Sequence, residues 1–189
     1  MKNFLLIIIL SLILFSCGEK EEAEEETTTE LEGTWKTACY TNSDNSTNID
    51  TFIFAGNTWT IKDQRYSDTA CATVYKLEEI PLTFSIGDAV TFANGKTGHK
   101  FTLTQGSTYK KTPQSDSAVS AFNSSSECSK SDWALNTEKE CSTGDDAGDI
   151  YLCLYQLDGN NWYLKCDNSA YPSTSDIDTS KAEGSFTKQ

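Results

Sequence analysis

From Thr51 to Thr104 the large apolar side chains fall on alternate positions, and no other feature of the sequence constrains the fold as strongly. Phe52 and Phe54, then Trp59 and Ile61, flank Gly56-Asn57; Leu82, Phe84 and Ile86, then Val90 and Phe92, then Phe101 and Leu103 continue the pattern. Successive side chains of a strand point to opposite faces, so a period of two buries one face of a sheet and leaves the other to water. Strands are expected at Thr51–Ala55 and Thr58–Lys62 as a tight hairpin, then at Thr73–Glu78, Leu82–Ile86, Ala89–Phe92 and Lys100–Thr104. Turns are expected at Gly87-Asp88 and Asn94-Gly95. One stretch reads as helix: Ser115 or Asp116 caps Ser117–Phe122, with Val119 and Phe122 one turn apart. Many short strands with turns between them imply an all-β antiparallel sheet that closes into a small barrel and so hides its edges; a β-sandwich is the alternative.

The cysteines set the compartment. The chain has seven, and the first, Cys17, belongs to an N-terminal address. Lys2 precedes a run from Phe4 to Phe15 that is apolar except for Ser11. The run falls short of the roughly 18 residues that a spanning helix needs, and it has the layout of a secretory signal peptide. A permanent N-terminal membrane anchor is the weaker reading. Leu14-Phe15-Ser16-Cys17 resembles the lipobox of bacterial lipoproteins. That resemblance implies cleavage before Cys17, lipid (palmitate and other acyl chains) on that cysteine, and a membrane held as partner through it. Gly18 stands where an aspartate would retain such a protein at the inner membrane, so the outer membrane of the cell envelope is the expected location. Between Glu19 and Glu32 lie eight glutamates and one lysine, which repel one another, bury nothing and read as a solvated, disordered tether. The expected organisation is therefore a signal peptide over 1–16, the lipidated cysteine and tether over 17–30, and one domain over 31–189.

Six cysteines remain, and an even number in an exported chain points to three disulfides. Zinc is the competing reading, but no C-x-x-C pair occurs and His99 is the only histidine. One pair follows from geometry. Ile150–Leu157 and Trp162–Cys166 are strand-like runs around Asp158-Gly159-Asn160-Asn161, a hairpin signature. Counting back from the loop, Leu157 faces Trp162 and Cys153 faces Cys166, close enough to bond. Cys128–Cys141 is then the natural local pair, closing a loop around Trp133. Cys39–Cys71 is left, tying the first strand to the end of the third.

Leu31-Glu32-Gly33-Thr34-Trp35 resembles the G-x-W opening of lipocalins and related calycin barrels. The wider pattern is similar to a set of bacterial lipocalin-like lipoproteins. It comprises Gly33-Thr-Trp35, Cys39, Phe54-Ala-Gly-Asn-Thr-Trp59, Tyr66-Ser-Asp-Thr-Ala-Cys71, Phe122-Asn123…Cys128…Trp133 and a final Gly-Asn hairpin. The resemblance implies a calycin-like barrel whose first-strand Trp35, with Gly33, plugs the closed end. It also implies a last-strand arginine stacked on that tryptophan, and Arg65, the only arginine, cannot take that place.

Composition narrows the function. The formal net charge is −13, which argues against nucleic acid or an anionic membrane surface as partner. No enzyme is expected: His99 has no nucleophile-elbow motif beside it and reads as a surface histidine in a strand entry. Gly95-Lys96-Thr97 lacks the spacing of a phosphate loop. Asp145-Asp146-Ala147-Gly148-Asp149 lacks the spacing of a calcium loop. No catalytic residue, cofactor or metal is therefore assigned. Two functions of different kinds stay open. In one, the barrel holds a small apolar ligand against Phe52, Phe54, Trp59, Tyr75, Phe84, Phe92 and Phe101; the same residues fill a core under the simpler reading. In the other, the domain is a tethered module that meets proteins or glycans with its loops.

Overall fold

The computed structural model describes residues 29–175 and 185–189. The expected signal peptide over 1–16, the expected lipidation at Cys17 and the expected tether before Thr29 lie outside the described residues.

Eleven strands form one sheet: β1 (Gly33–Lys36), β2 (Tyr40–Thr41), β3 (Thr47–Ala55), β4 (Thr58–Tyr66), β5 (Val74–Thr91), β6 (Thr97–Gln105), β7 (Thr108–Pro113), β8 (Lys139–Ser142), β9 (Ile150–Asp158), β10 (Asn161–Asp167) and β11 (Ser185–Lys188). One α-helix, α1 (Asp116–Ser125), lies between β7 and β8. Strands β1, β3, β4, β5, β6, β9, β10 and β11 pair in a ring, each antiparallel to the next, and β11 returns to β1. The fold is thus a closed eight-stranded antiparallel barrel, compatible with a calycin-like architecture. The sandwich alternative is set aside.

β5 corrects the expected segmentation. Leu82–Ile86 and Ala89–Phe92 are not separate strands around a turn. Gly87 and Asp88 form a bulge, where the ladder to β6 shifts between Ile86 and Ala89, and one strand of 18 residues runs through. Pro81, which cannot donate to a ladder, sits between Leu82, the last partner of β6, and Glu79, the first partner of β7. At Gly106 the strand opposite β5 changes companions. β6 stays in the barrel beside β9, whereas β7 turns out beside β8. Strands β5, β7 and β8 therefore extend the sheet past the barrel rim as a flap.

The helix begins where expected: Ser115 is the N-cap, its Oγ accepting from the Ala118 N–H at 3.1 Å. Its buried side chains are Ala118 and Phe122 rather than Val119 and Phe122. Phe122 meets Trp133 edge to face at 5.0 Å. The Asn123 side chain holds the Trp133 backbone by two hydrogen bonds, donating to its carbonyl at 3.0 Å and accepting from its N–H at 2.8 Å. With Cys141 these residues form a small second core on the flap.

The two ends of the barrel differ. Leu31, the three hairpin tips at Gly56-Asn57, Ala93–Lys96 and Gly159-Asn160, and the C-terminal end of β11 gather at one end. Leu31 and Trp35 close this end, both essentially unexposed, with the Trp35 indole N–H donating to the Leu31 carbonyl at 2.7 Å. The cation over Trp35 is a lysine: Lys188 of β11 lies opposite Trp35 in register, with Nζ 5.3 Å from the ring centre. Lysine thus takes the place for which no arginine is available. Trp35, Phe52, Phe54, Trp59, Phe84, Phe101, Tyr155, Trp162 and Phe186 fill the interior, with ring centres between 4.4 and 6.3 Å apart in the contacting pairs among them.

All three expected disulfides are present. Cys153–Cys166 joins directly facing residues of β9 and β10, Cys128–Cys141 closes the loop around Trp133, and Cys39–Cys71 ties the stretch after β1 to the β4–β5 connection. Cys153–Cys166 packs in the main core and Cys128–Cys141 in the second core of the flap, whereas Cys39–Cys71 staples the open end opposite Leu31, where the apolar core runs out.

Candidate functional site

That open end is built by the same alternation that builds the core. Along β3 the inward positions run Phe54, Phe52, Asp50, Asn48; along β4, Trp59, Ile61, Asp63, Arg65; along β5, Leu82, Ile80, Glu78, Lys76. Register places Asp50 opposite Asp63, Asp63 opposite Glu78, and Glu78 opposite Lys111 of β7. Three carboxylates thus stand side by side on adjacent strands, and a row of Asn48, Arg65 and Lys76 stands one step nearer the rim.

Each carboxylate meets a different environment. Lys76 and Lys111 both reach Glu78, the latter at 3.3 Å, and Lys111 also pairs with Glu127. Burial pushes the Glu78 carboxyl up, but hydrogen bonding and attraction from these lysines outweigh it, and its pKa falls below the ordinary value. Lys111, 8% exposed, lies over the Tyr109 and Phe122 rings and fastens the flap and its helix to the barrel mouth. Asp50 and Asp63 make no ion pair among the described residues. Burial, with Asp63 opposite, pushes the Asp50 carboxyl up to about 6, although the Tyr40 hydroxyl donates to it at 2.7 Å. Asp63 is also raised, by burial and then by Glu78, even though the Asn48 amide donates to it. Asn48 is 4% exposed and its Oδ1 has no donor.

Two clefts lie at this rim, and a third runs along the outer wall towards the closed end. One of about 470 Å³ lies between Arg65, Tyr75, Lys76 and the Phe122 side of α1. A second, about 310 Å³, is bounded by Glu78, Ile80, Gln105, Tyr109 and Tyr151. A third of about 470 Å³ follows the outer wall from Pro81 and Thr83 to Gly106. None of them is lined by Phe52, Phe54, Trp59, Phe84 or Phe101. Those five come together in the packed interior; Tyr75 lies at the first cleft, and Phe92 sits over Gly98 at the β5–β6 tip. Within the interior, the indole N–H groups of Trp59 and Trp162 have no acceptor. The two rings meet at 79° and 5.6 Å, an arrangement in which an aromatic face can serve as a weak acceptor.

His99 occupies the closed end and is more engaged than a free surface side chain. It stacks on Tyr155 at 5.7 Å, and its Nε2 lies 3.8 Å from a Glu30 oxygen that also accepts from the Tyr155 hydroxyl. Among the described residues no three Cys, His, Asp or Glu side chains converge as metal ligands.

The sequence reading missed the carboxylate row, yet its signal was present. Asp50, Asp63 and Glu78 each stand two residues from an apolar position of the alternating pattern, so the inward face continues into charge. Compared with known protein families and with curated proteins, the chain matches no family model and no curated protein.

Proposed function

We propose that this chain is a lipid-anchored lipoprotein of the bacterial cell envelope, of lipocalin-like type, and that it is a non-catalytic binding module rather than an enzyme. Anchored through Cys17 at the outer membrane, it presents its binding surface at the open mouth and not inside the barrel. One observation carries this: aromatic side chains fill the interior, while the clefts on the inner face lie around the charged rim.

Native mass spectrometry and hydrogen exchange on the mature chain, made oxidised in a bacterial periplasm, test the reading. A co-purifying species should protect the mouth halves of β3, β4 and β5 together with β7 and α1, and an apolar probe such as N-phenyl-1-naphthylamine should not bind. An apolar adduct that is lost on organic extraction and instead protects the interior halves of β3 and β4, around Phe52–Phe54 and Trp59–Ile61, together with β10 would overturn it. That outcome would support the second reading, carriage of a small apolar ligand. The unpartnered indole N–H groups of Trp59 and Trp162 favour that reading, because a ligand acceptor would satisfy them.

A further inference from the structure

The mouth carries two rows of opposite charge, and neither is fully used by the fold. In the deeper row Asp50 and Asp63 face each other across the β3–β4 ladder, a like-charged pair that costs stability wherever nothing neutralises it. The cations near them are engaged elsewhere: Lys76 and Lys111 with Glu78, and Arg65 with exposed Asp44 at 3.1 Å. Beside the pair, Asn48 spends its amide on Asp63 and keeps its Oδ1, buried and without a donor, on the same inward face. Asp50 already accepts from Tyr40 and Asp63 from Asn48, and with the orphaned Asn48 carbonyl their remaining lone pairs form an acceptor set short of donors. In the row nearer the rim, Arg65 uses a single N–H of its planar fork, leaving the others without partners among the described residues. Arg65, with Lys76, opens onto the 470 Å³ cleft, whose remaining wall is Tyr75, Ala121, Phe122, Ser125 and Glu127, the last paired with Lys111.

We propose that this mouth takes a small zwitterionic ligand, its ammonium group on Asp50, Asp63 and the Asn48 Oδ1, its acid group on Arg65. The ammonium supplies up to three donors to the acceptors left open there. The acid group accepts from a guanidinium suited to bidentate contact. A simple cation would be repelled by Arg65 and Lys76, and a simple anion by the carboxylate row. The assignment rests on the mouth being the binding surface and adds the ligand's chemistry.

Residues two apart on a strand lie about 7 Å apart, a span that 6-aminohexanoate bridges when extended. The probes are therefore 6-aminohexanoate, hexylamine and hexanoate, each titrated into the mature, isotope-labelled chain in detergent micelles and followed through the Asn48 side-chain amide and the β3–β4 backbone signals. The zwitterion should bind at least tenfold more tightly than either half. Asp50→Asn with Asp63→Asn should abolish its advantage over hexanoate, and Arg65→Gln its advantage over hexylamine. Asp88→Asn with Asp158→Asn, which removes the same charge at the closed end, should change nothing. Equal binding of hexylamine, retention of the preference in the Asp50/Asp63 variant, or equal loss in the Asp88/Asp158 variant would each overturn the proposal. Failure of all three probes would refute the ligand class alone, provided that exchange protection by a co-purified species still maps to the mouth.

Discussion

Replacing Asp50 with asparagine should make the domain more stable at neutral pH. In the folded protein the Asp50 carboxyl titrates near 6, against 3.8 for an unperturbed aspartate. Between those values the folded state holds a proton that the unfolded chain has released. Stability therefore falls as pH rises through this window, and above the folded pKa the whole penalty is present. One pKa unit corresponds to about 1.4 kcal/mol, so the full shift sets an upper bound of about 3 kcal/mol. The site is only half-buried, and solvent screening reduces the recoverable part to about 1–2 kcal/mol. Asparagine keeps an acceptor for the Tyr40 hydroxyl, so the hydrogen bond survives the change. Guanidinium unfolding of the oxidised protein, followed through the buried tryptophans from about pH 4 to pH 7.5, measures the effect. The variant should gain about 1–2 kcal/mol at pH 7.5, or about 3–6 °C in Tm for a domain of this size, and its stability should vary less with pH between 4 and 6. A variant no more stable than the parent at pH 7.5, with the same slope below pH 6, would refute the account of Asp50 as an uncompensated charge.

Other perturbations read other parts of the fold. Gly98→Ala would place a Cβ 2.0 Å from the Tyr155 carbonyl oxygen and 2.5 Å from the Phe92 ring; we expect a loss of about 3 kcal/mol or more, and a variant melting with the parent would contradict that packing. Lys111→Met strips Glu78 and Glu127 of their shared cation and should cost about 3 kcal/mol, with hydrogen exchange rising first in α1 and β8. Non-reducing peptide mapping should recover Cys153 joined to Cys166, and a link from Cys153 to any other cysteine would break the β9–β10 register; replacing both with serine should cost about 3 kcal/mol.

Much of this architecture was legible because local rules and tertiary demands agree. The β9–β10 hairpin follows from its Gly-Asn loop, and once that loop is placed the facing of Cys153 and Cys166 is arithmetic. The inward stripe of Phe52, Phe54, Trp59 and Ile61 follows from the period of two. Where the reading failed, distant contacts decided. Gly87-Asp88 carries turn chemistry, but continuous pairing of β5 with β6 holds it extended as a bulge. Val119 has the apolar character for the helix core, yet the flap meets α1 on the Ala118–Phe122 face. β7 and β8 lack a clear alternation, being held by Lys111 and by the Cys128–Cys141 bridge. The carboxylate row needed three registers at once, which no single segment contains.

The seam of the barrel lies between β1 and β10, and residues 185–188 are what seals it. A ribosome that has delivered the first ten strands has produced a sheet with two open edges and an aromatic core exposed along one side. Ring closure is therefore a late event that joins segments about as far apart in sequence as the domain allows, a high-contact-order step of the kind that folds slowly. Until residues 185–188 dock, nothing else in the barrel hides those two edges.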